Sequence, residues 1–204
     1  MSARRAGLGQ RAGEGRPPPE IGRAFVALRP PDQVLDAVEG AVGSGQTAPV
    51  GLKWEQRERY HLTLQFLGPV RRLAPVVEGL TGATAGWTAF SCRFGGAGAF
   101  PKPGRARVVW IGAAAGGDEI VGLAAAVAQA LGPLGYEPDR AEFHPHLTVA
   151  RLKVPANVAD VLAAIGPGPV GEEFIVSEVV LYQSQLSPKG PTYTALERFP
   201  LRGA

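Results

Sequence analysis

The chain has 204 residues, 45% of them hydrophobic and 19% charged, which is enough apolar material for a substantial core in one domain or two small lobes. Its formal net charge of +3 is too small to mark a nucleic-acid surface by itself, and Arg4, Arg5, Arg11 and Arg16 of the N-terminal stretch supply part of it. No apolar run approaches the roughly 20 residues that span a bilayer, no apolar stretch follows the first arginines as in a secretory signal, and the single Cys92 excludes an internal disulfide. The expectation is a cytoplasmic monomer that makes no use of membranes.

Residues 1–20 are rich in Arg, Gly, Ala and Pro, contain Pro17-Pro18-Pro19 and show no hydrophobic period, so they read as a disordered tail. Ala24–Leu28 is a short apolar run ended by Arg29-Pro30-Pro31, a buried strand. Val34, Leu35, Val38 and Val42 then recur at helical spacing from Asp32, with Gly43 closing the helix. A strand over Tyr60–Leu67 ends at Gly68-Pro69, Leu73, Val76, Val77 and Leu80 mark a second helix, and Trp87–Phe94 alternates as a strand. Gly95–Arg105 reads as a loop, Val108–Ile111 as a strand, and Asp118–Leu131 as a helix carrying Ile120, Leu123, Val127 and Leu131 on its apolar face. A strand around His146–Arg151, a helix over Pro155–Ile165 begun by its proline, and strands Phe174–Tyr182 and Thr192–Phe199 complete the chain.

The order is strand–helix–strand–helix–strand, repeated once, with a final strand. His61 and His146 lie 85 residues apart, and the same offset carries Gly22, Asp32, Arg71 and Trp87 to Arg107, Gly117, Ala156 and Glu172, each at or near the start of the matching element. A constant offset through several elements points to an internal duplication, two similar lobes facing each other within residues 21–204.

Of three histidines, two open the same tripeptide, His61-Leu62-Thr63 and His146-Leu147-Thr148. On a strand, side chains alternate with period two, so His61, Thr63 and Gln65 share one face while Leu62, Leu64 and Phe66 enter the core. His146 and Thr148 likewise share a face above buried Leu147 and Val149. A histidine can move a proton and a threonine hydroxyl can donate to a phosphate oxygen, so two such half-sites across a cleft can grip one phosphate. Packing supplies no reason to repeat histidine at an exposed position in register.

The segments Tyr60–Gly68 and His144–Arg151 resemble the paired signatures of the two-histidine phosphoesterases. Within that superfamily Phe25–Leu28, Gly98-Ala99-Phe100-Pro101, Arg107–Trp110, Leu181–Ser184 and Gly190–Tyr193 resemble the RNA 2′,3′-cyclic phosphodiesterases, also described as 2′-5′ RNA ligases, from about Arg23 to Leu201. The resemblance implies an α+β fold of two similar lobes, each an antiparallel sheet with helices on its outer face, enclosing a cleft. It implies hydrolysis of RNA 2′,3′-cyclic ends, including those of tRNA fragments, to 2′-phosphates without metal or cofactor. His61 is then the proton donor to the 3′ oxygen and His146 the base for water, while Thr63 and Thr148 hold the non-bridging oxygens; the residues themselves leave the two roles exchangeable. Arg151 is the family's phosphate partner, yet strict alternation puts it on the face opposite His146. His144 stands at the strand entrance before Pro145, and Lys102 reads as a solvated loop lysine.

Other readings compete with this one. A metal hydrolase needs clustered His and carboxylates, whereas these histidines are each paired with threonine, a poor ligand. Phosphate-loop and serine-hydrolase motifs are absent. A non-catalytic RNA-end binding module and the reverse joining of tRNA halves through a 2′-5′ bond would use the same cleft.

Overall fold

The strand β1, Ile21–Leu28, is buried on both faces. Ala24, Val26 and Leu28 enter the main core, while Phe25 and Ala27 join a smaller cluster with Val180 and Tyr182 on the opposite side. In the computed structural model, which describes residues 19–46, 51–139, 142–188 and 190–203, β1 sits inside one antiparallel nine-stranded sheet. The other elements are α1 (Asp32–Gly45), β2 (Lys53–Trp54), β3 (Leu62–Val70), α2 (Leu73–Ala85), β4 (Phe90–Phe100), β5 (Ala106–Ala115) and α3 (Gly117–Leu131). Then come β6 (His146–Ala156), α4 (Ala159–Ile165), β7 (Pro169–Val176), β8 (Glu178–Ser187) and β9 (Gly190–Pro200).

The sheet order is β7-β4-β5-β6-β3-β1-β8-β9, with β2 paired to β6. At its centre β3 and β6 are joined by the single register pair Leu62↔Leu147, so the sheet narrows there into two four-stranded halves flanking the two tripeptides. Helix α1 packs on α4 and β7, and α2 packs on α3 and β9. Val34, Val76, Ile120 and Val161, one from each helix, are fully buried in the same core as Leu62, Ile111, Leu147 and Leu181 of the strands. The helices therefore cover one face of the sheet and leave the other for the aromatic cluster. Among the described residues no helix is long and apolar enough to cross a membrane.

Residues 1–18 of the expected tail lie outside the described residues. Glu20, assigned to that tail, instead accepts a hydrogen bond of 2.7 Å from the Leu73 N–H, placing a carboxylate at the start of α2. The expected loop Gly95–Arg105 is strand as far as Phe100. Gly98 pairs with Trp110 and Ala97 with Ile111, and a side chain on Gly98 would meet the Trp110 indole at 2.2 Å, so the glycine admits the ring. Gly68-Pro69 does not end β3, which continues to Val70 with Gly68 at φ +66°. Pro155 starts no helix: β6 keeps its pairing with β5 up to Ala156, opposite Ala106, and α4 begins at Ala159. The single strand expected over Phe174–Tyr182 breaks at Ser177 into β7, at the β4 edge, and β8, beside β1.

Candidate active site

His61 stands one residue before β3, after a 3-10 turn over Arg57–Arg59. That turn is pinned from two sides. Arg57 reaches Asp36 at 2.7 Å and Glu39 at 2.8 Å on α1, and the Arg59 Nε donates to the Pro191 carbonyl of β9 at 2.9 Å. A side chain on Gly190 would meet the Arg59 guanidinium at 2.6 Å, so a glycine lets the arginine pass. The Arg59 carbonyl lies 2.6 Å from His61 Nδ1, and the His144 carbonyl lies 2.7 Å from His146 Nδ1. A carbonyl can only accept, so in each ring Nδ1 carries a proton and Nε2 is the atom left for chemistry. Each histidine thus takes its tautomer from the carbonyl two residues before it.

Both rings have aromatic walls. His61 lies 4.8 Å from Phe25 and edge-on to Tyr193 at 5.1 Å, measured between ring centroids. His146 lies edge-on to Phe100 at 5.1 Å and 6.1 Å from Trp110. The Trp110 indole lies over the positions of Gly98 and Gly112, and Gly112 is the register partner of His146. Burial against these walls, with little water to solvate an imidazolium, pushes the His61 pKa down to about 4; the Arg59 carbonyl opposes this, and the charges of Arg151 and His146 add to it. His146 is lowered for the same first reason, burial, with the His144 carbonyl opposing and Arg151 adding.

The parity of the two strands departs from simple alternation at equivalent places. Along β3, Val26 pairs with Gln65 but Ala27 with Thr63, leaving Leu64 as an extra residue. Along β6, Val109 pairs with Ala150 but Trp110 with Thr148, leaving Val149 as an extra residue. Each bulge comes directly after the threonine and reverses the faces that follow. Gln65, expected beside His61 and Thr63, is therefore buried, and its Nε2 donates to the Tyr136 carbonyl at 2.7 Å. Phe66, expected in the core, is 58% exposed and faces Phe25 at 6.1 Å. Arg151 is turned onto the face of His146, where its Nε lies 3.2 Å from a Glu55 carboxylate oxygen.

The five candidates from the sequence lie on β3 and β6 or just before β3, and His61 lines a cleft of about 260 Å³ with Phe25, Tyr60, Tyr182 and Tyr193. Thr63 and His146 line one cleft of about 490 Å³, together with Phe66, Phe100, Phe143 and His144. Extending the Leu62↔Leu147 register by one residue each way sets Thr63 opposite His146 and His61 opposite Thr148. Arg151 lines a neighbouring cleft of about 450 Å³ with Phe25, Phe66 and Tyr193. Lys102 is exposed in the turn after β4 and lines none of these clefts. The aromatic walls and the carboxylate of Glu55 were not singled out from sequence. Phe25, Phe100, Trp110 and Tyr193 all stand in the segments that carry the family resemblance, which was the signal available for them.

The sequence pattern of the 2′-5′ RNA ligase superfamily matches residues 24–187. An RNA 2′,3′-cyclic phosphodiesterase of Archaeoglobus fulgidus is 38% identical over 180 residues, covering 87% of this chain and 99% of that protein. One from Aeropyrum pernix is 36% identical over 150 residues, covering 72% of this chain and 85% of that protein. Among solved structures, TT0787 of Thermus thermophilus is similar with a TM-score of 0.74 at 33% identity, covering 89% of this chain and 98% of that one. Escherichia coli LigT complexed with 3′-AMP, at 24% identity and a TM-score of 0.72 over 90% of this chain and 99% of that one, shares the fold.

Proposed function

This chain belongs to the 2′-5′ RNA ligase superfamily, and on that premise we propose that it hydrolyses RNA 2′,3′-cyclic phosphate ends to 2′-phosphates, with His61 and His146 as a metal-independent acid–base pair. The observation that carries the reading is the matched pair of imidazoles, each with Nδ1 tied to a carbonyl and each with a threonine two residues on. The relatives named RNA 2′,3′-cyclic phosphodiesterase support the substrate.

The reaction needs one proton removed and one supplied. Water attacks phosphorus in line with the P–O3′ bond; His146 Nε2 takes its proton, and His61 gives a proton to O3′ as that bond breaks. The Thr63 and Thr148 hydroxyls donate to the non-bridging oxygens, where charge grows in the transition state. Burial holds His61 neutral at pH 7. A cyclic phosphate carries one negative charge, and placing it between the rings raises the pKa of both, so binding recruits the proton that the acid later delivers. With an RNA 5′-hydroxyl attacking in place of water, the same pair would join RNA ends through a 2′-5′ bond.

The proposal includes a two-lobed unit over residues 21–204 that acts as a monomer in the cytoplasm. It is tested by following ring opening of a short RNA with a 2′,3′-cyclic end by the native chain and by His61→Ala and His146→Ala. Turnover lost in both variants supports the pair. Undiminished turnover in either variant removes that histidine from the reaction.

A further inference from the structure

The cleft beside Arg151 has no part in the proton transfers, yet its lining is unlike an ordinary surface. Arg23, Lys53, Arg59 and Arg151 converge there against the one carboxylate of Glu55. This excess of three positive charges equals the net charge of the whole chain. Glu55 is shared, lying 3.2 Å from Arg151 and 3.7 Å from Arg59. Lys53 is the register partner of Arg151 across β2 and β6, so the two side chains rise from the same face. Arg23 and Lys53 are exposed, and neither pairs with a carboxylate among the described residues. The other clefts gather less positive charge: Arg29 and Arg198 stand against Glu58 in the one lined by His61, and the one of Thr63 and His146, across Phe66, has Asp139 and Glu142 at its wall and no Lys or Arg.

Resting on the cyclic-phosphate reading, we propose that the basic cleft seats the phosphodiester joining the terminal nucleotide to the rest of the RNA, so that the protein prefers oligonucleotide ends to cyclic mononucleotides. A cyclic phosphate held between His61 and His146 leaves its nucleotide's 5′ oxygen to carry the next phosphate, one nucleotide away. Of the clefts around the histidines, the one beside Arg151 carries the largest positive excess and attracts that charge most strongly, whereas the one of Thr63 and His146 holds two carboxylates and no Lys or Arg. The exposed Phe66 ring stands between them and Tyr193 borders the basic side, which supplies ring faces beside positive charge, the combination that holds a single strand without reading its sequence.

The test compares kcat/KM for a 2′,3′-cyclic mononucleotide and a dinucleotide with the same cyclic end, using the native chain and an Arg23→Ala/Lys53→Ala double variant. The expected result is a preference of about tenfold or more for the dinucleotide, shrinking as salt rises. In the variant the preference collapses while mononucleotide turnover, which also checks folding, is unchanged. Equal kcat/KM for both substrates in the native chain, or a preference untouched by the variant, overturns the proposal. Calorimetry with a nucleoside 2′-phosphate and its dinucleotide counterpart reads the cleft without turnover. Equal affinities overturn the proposal. A tighter dinucleotide in a chain that opens neither cyclic substrate upholds the cleft and removes the chemistry instead.

Discussion

Phe66 and Arg151 occupy the same place relative to the two histidines, five residues after His61 and His146, and an equivalent bulge turns each onto the face that carries the site. One half thereby contributes a ring and the other a cation. Strict period-two alternation would have sent both to the helix side, where a guanidinium would lie buried without a partner. The extra residues Leu64 and Val149 avoid that and keep the apolar sequence of both strands in the core.

Arg151 depresses the pKa of both histidines by its charge. Arg151→Ala is expected to raise both imidazole titrations, read from the ring proton resonances, and to raise KM for a cyclic substrate by roughly tenfold or more. Unmoved titrations would place the arginine's charge out of reach of the rings.

Acid is expected to destabilise the fold before its carboxylates titrate. An imidazole in the unfolded chain has a pKa near 6.5, and burial lowers His61 to about 4. Between those values the unfolded state binds the proton and the folded state does not, so stability is full above about 6.5 and falls as pH drops toward 4. Denaturant unfolding at pH 7.5 and pH 5 should show a loss of about 1–2 kcal/mol from this group, and His61→Asn should reduce it. A variant with the same pH slope as the native chain would contradict the shift.

The threonine hydroxyls are expected to matter to the rate and not to the fold. Thr63 and Thr148 are half-buried on the site face, and valine keeps their shape without the hydroxyl. Thr63→Val and Thr148→Val should each lower kcat by about a hundredfold, with unchanged thermal unfolding. A rate within twofold of native would remove that hydroxyl from transition-state stabilisation.

Gly98 is expected to tolerate no side chain. A methyl group there would meet the Trp110 indole at 2.2 Å, and the indole stands beside His146. Gly98→Ala should cost about 1–3 kcal/mol in unfolding experiments and also reduce turnover, because the indole must move. Native stability and native turnover together would show that the ring has room.

The α+β elements and the two strands bearing the tripeptides were legible because Leu62, Leu64, Leu147 and Val149 pack at the spacing a strand requires. What local pattern could not carry were features set by a neighbouring strand. The bulges at Leu64 and Val149 exist only in register with β1 and β5, so the faces of Gln65, Phe66 and Arg151 could not be counted out along one strand. Gly95–Phe100 looked like a loop because glycine is a poor strand former on its own, and it is strand because the Trp110 ring fills the space left by Gly98. Glu55 and the aromatic walls come from five separate segments and meet only in the folded chain.

The most direct test of the central claim is phosphorus NMR of a short RNA with a 2′,3′-cyclic end, incubated with the native chain in excess EDTA. Conversion of the cyclic resonance to that of a 2′-phosphate, absent with His61→Ala and with His146→Ala, is the predicted result. A 3′-phosphate product, or a cyclic resonance that persists until a metal is restored, would contradict the account.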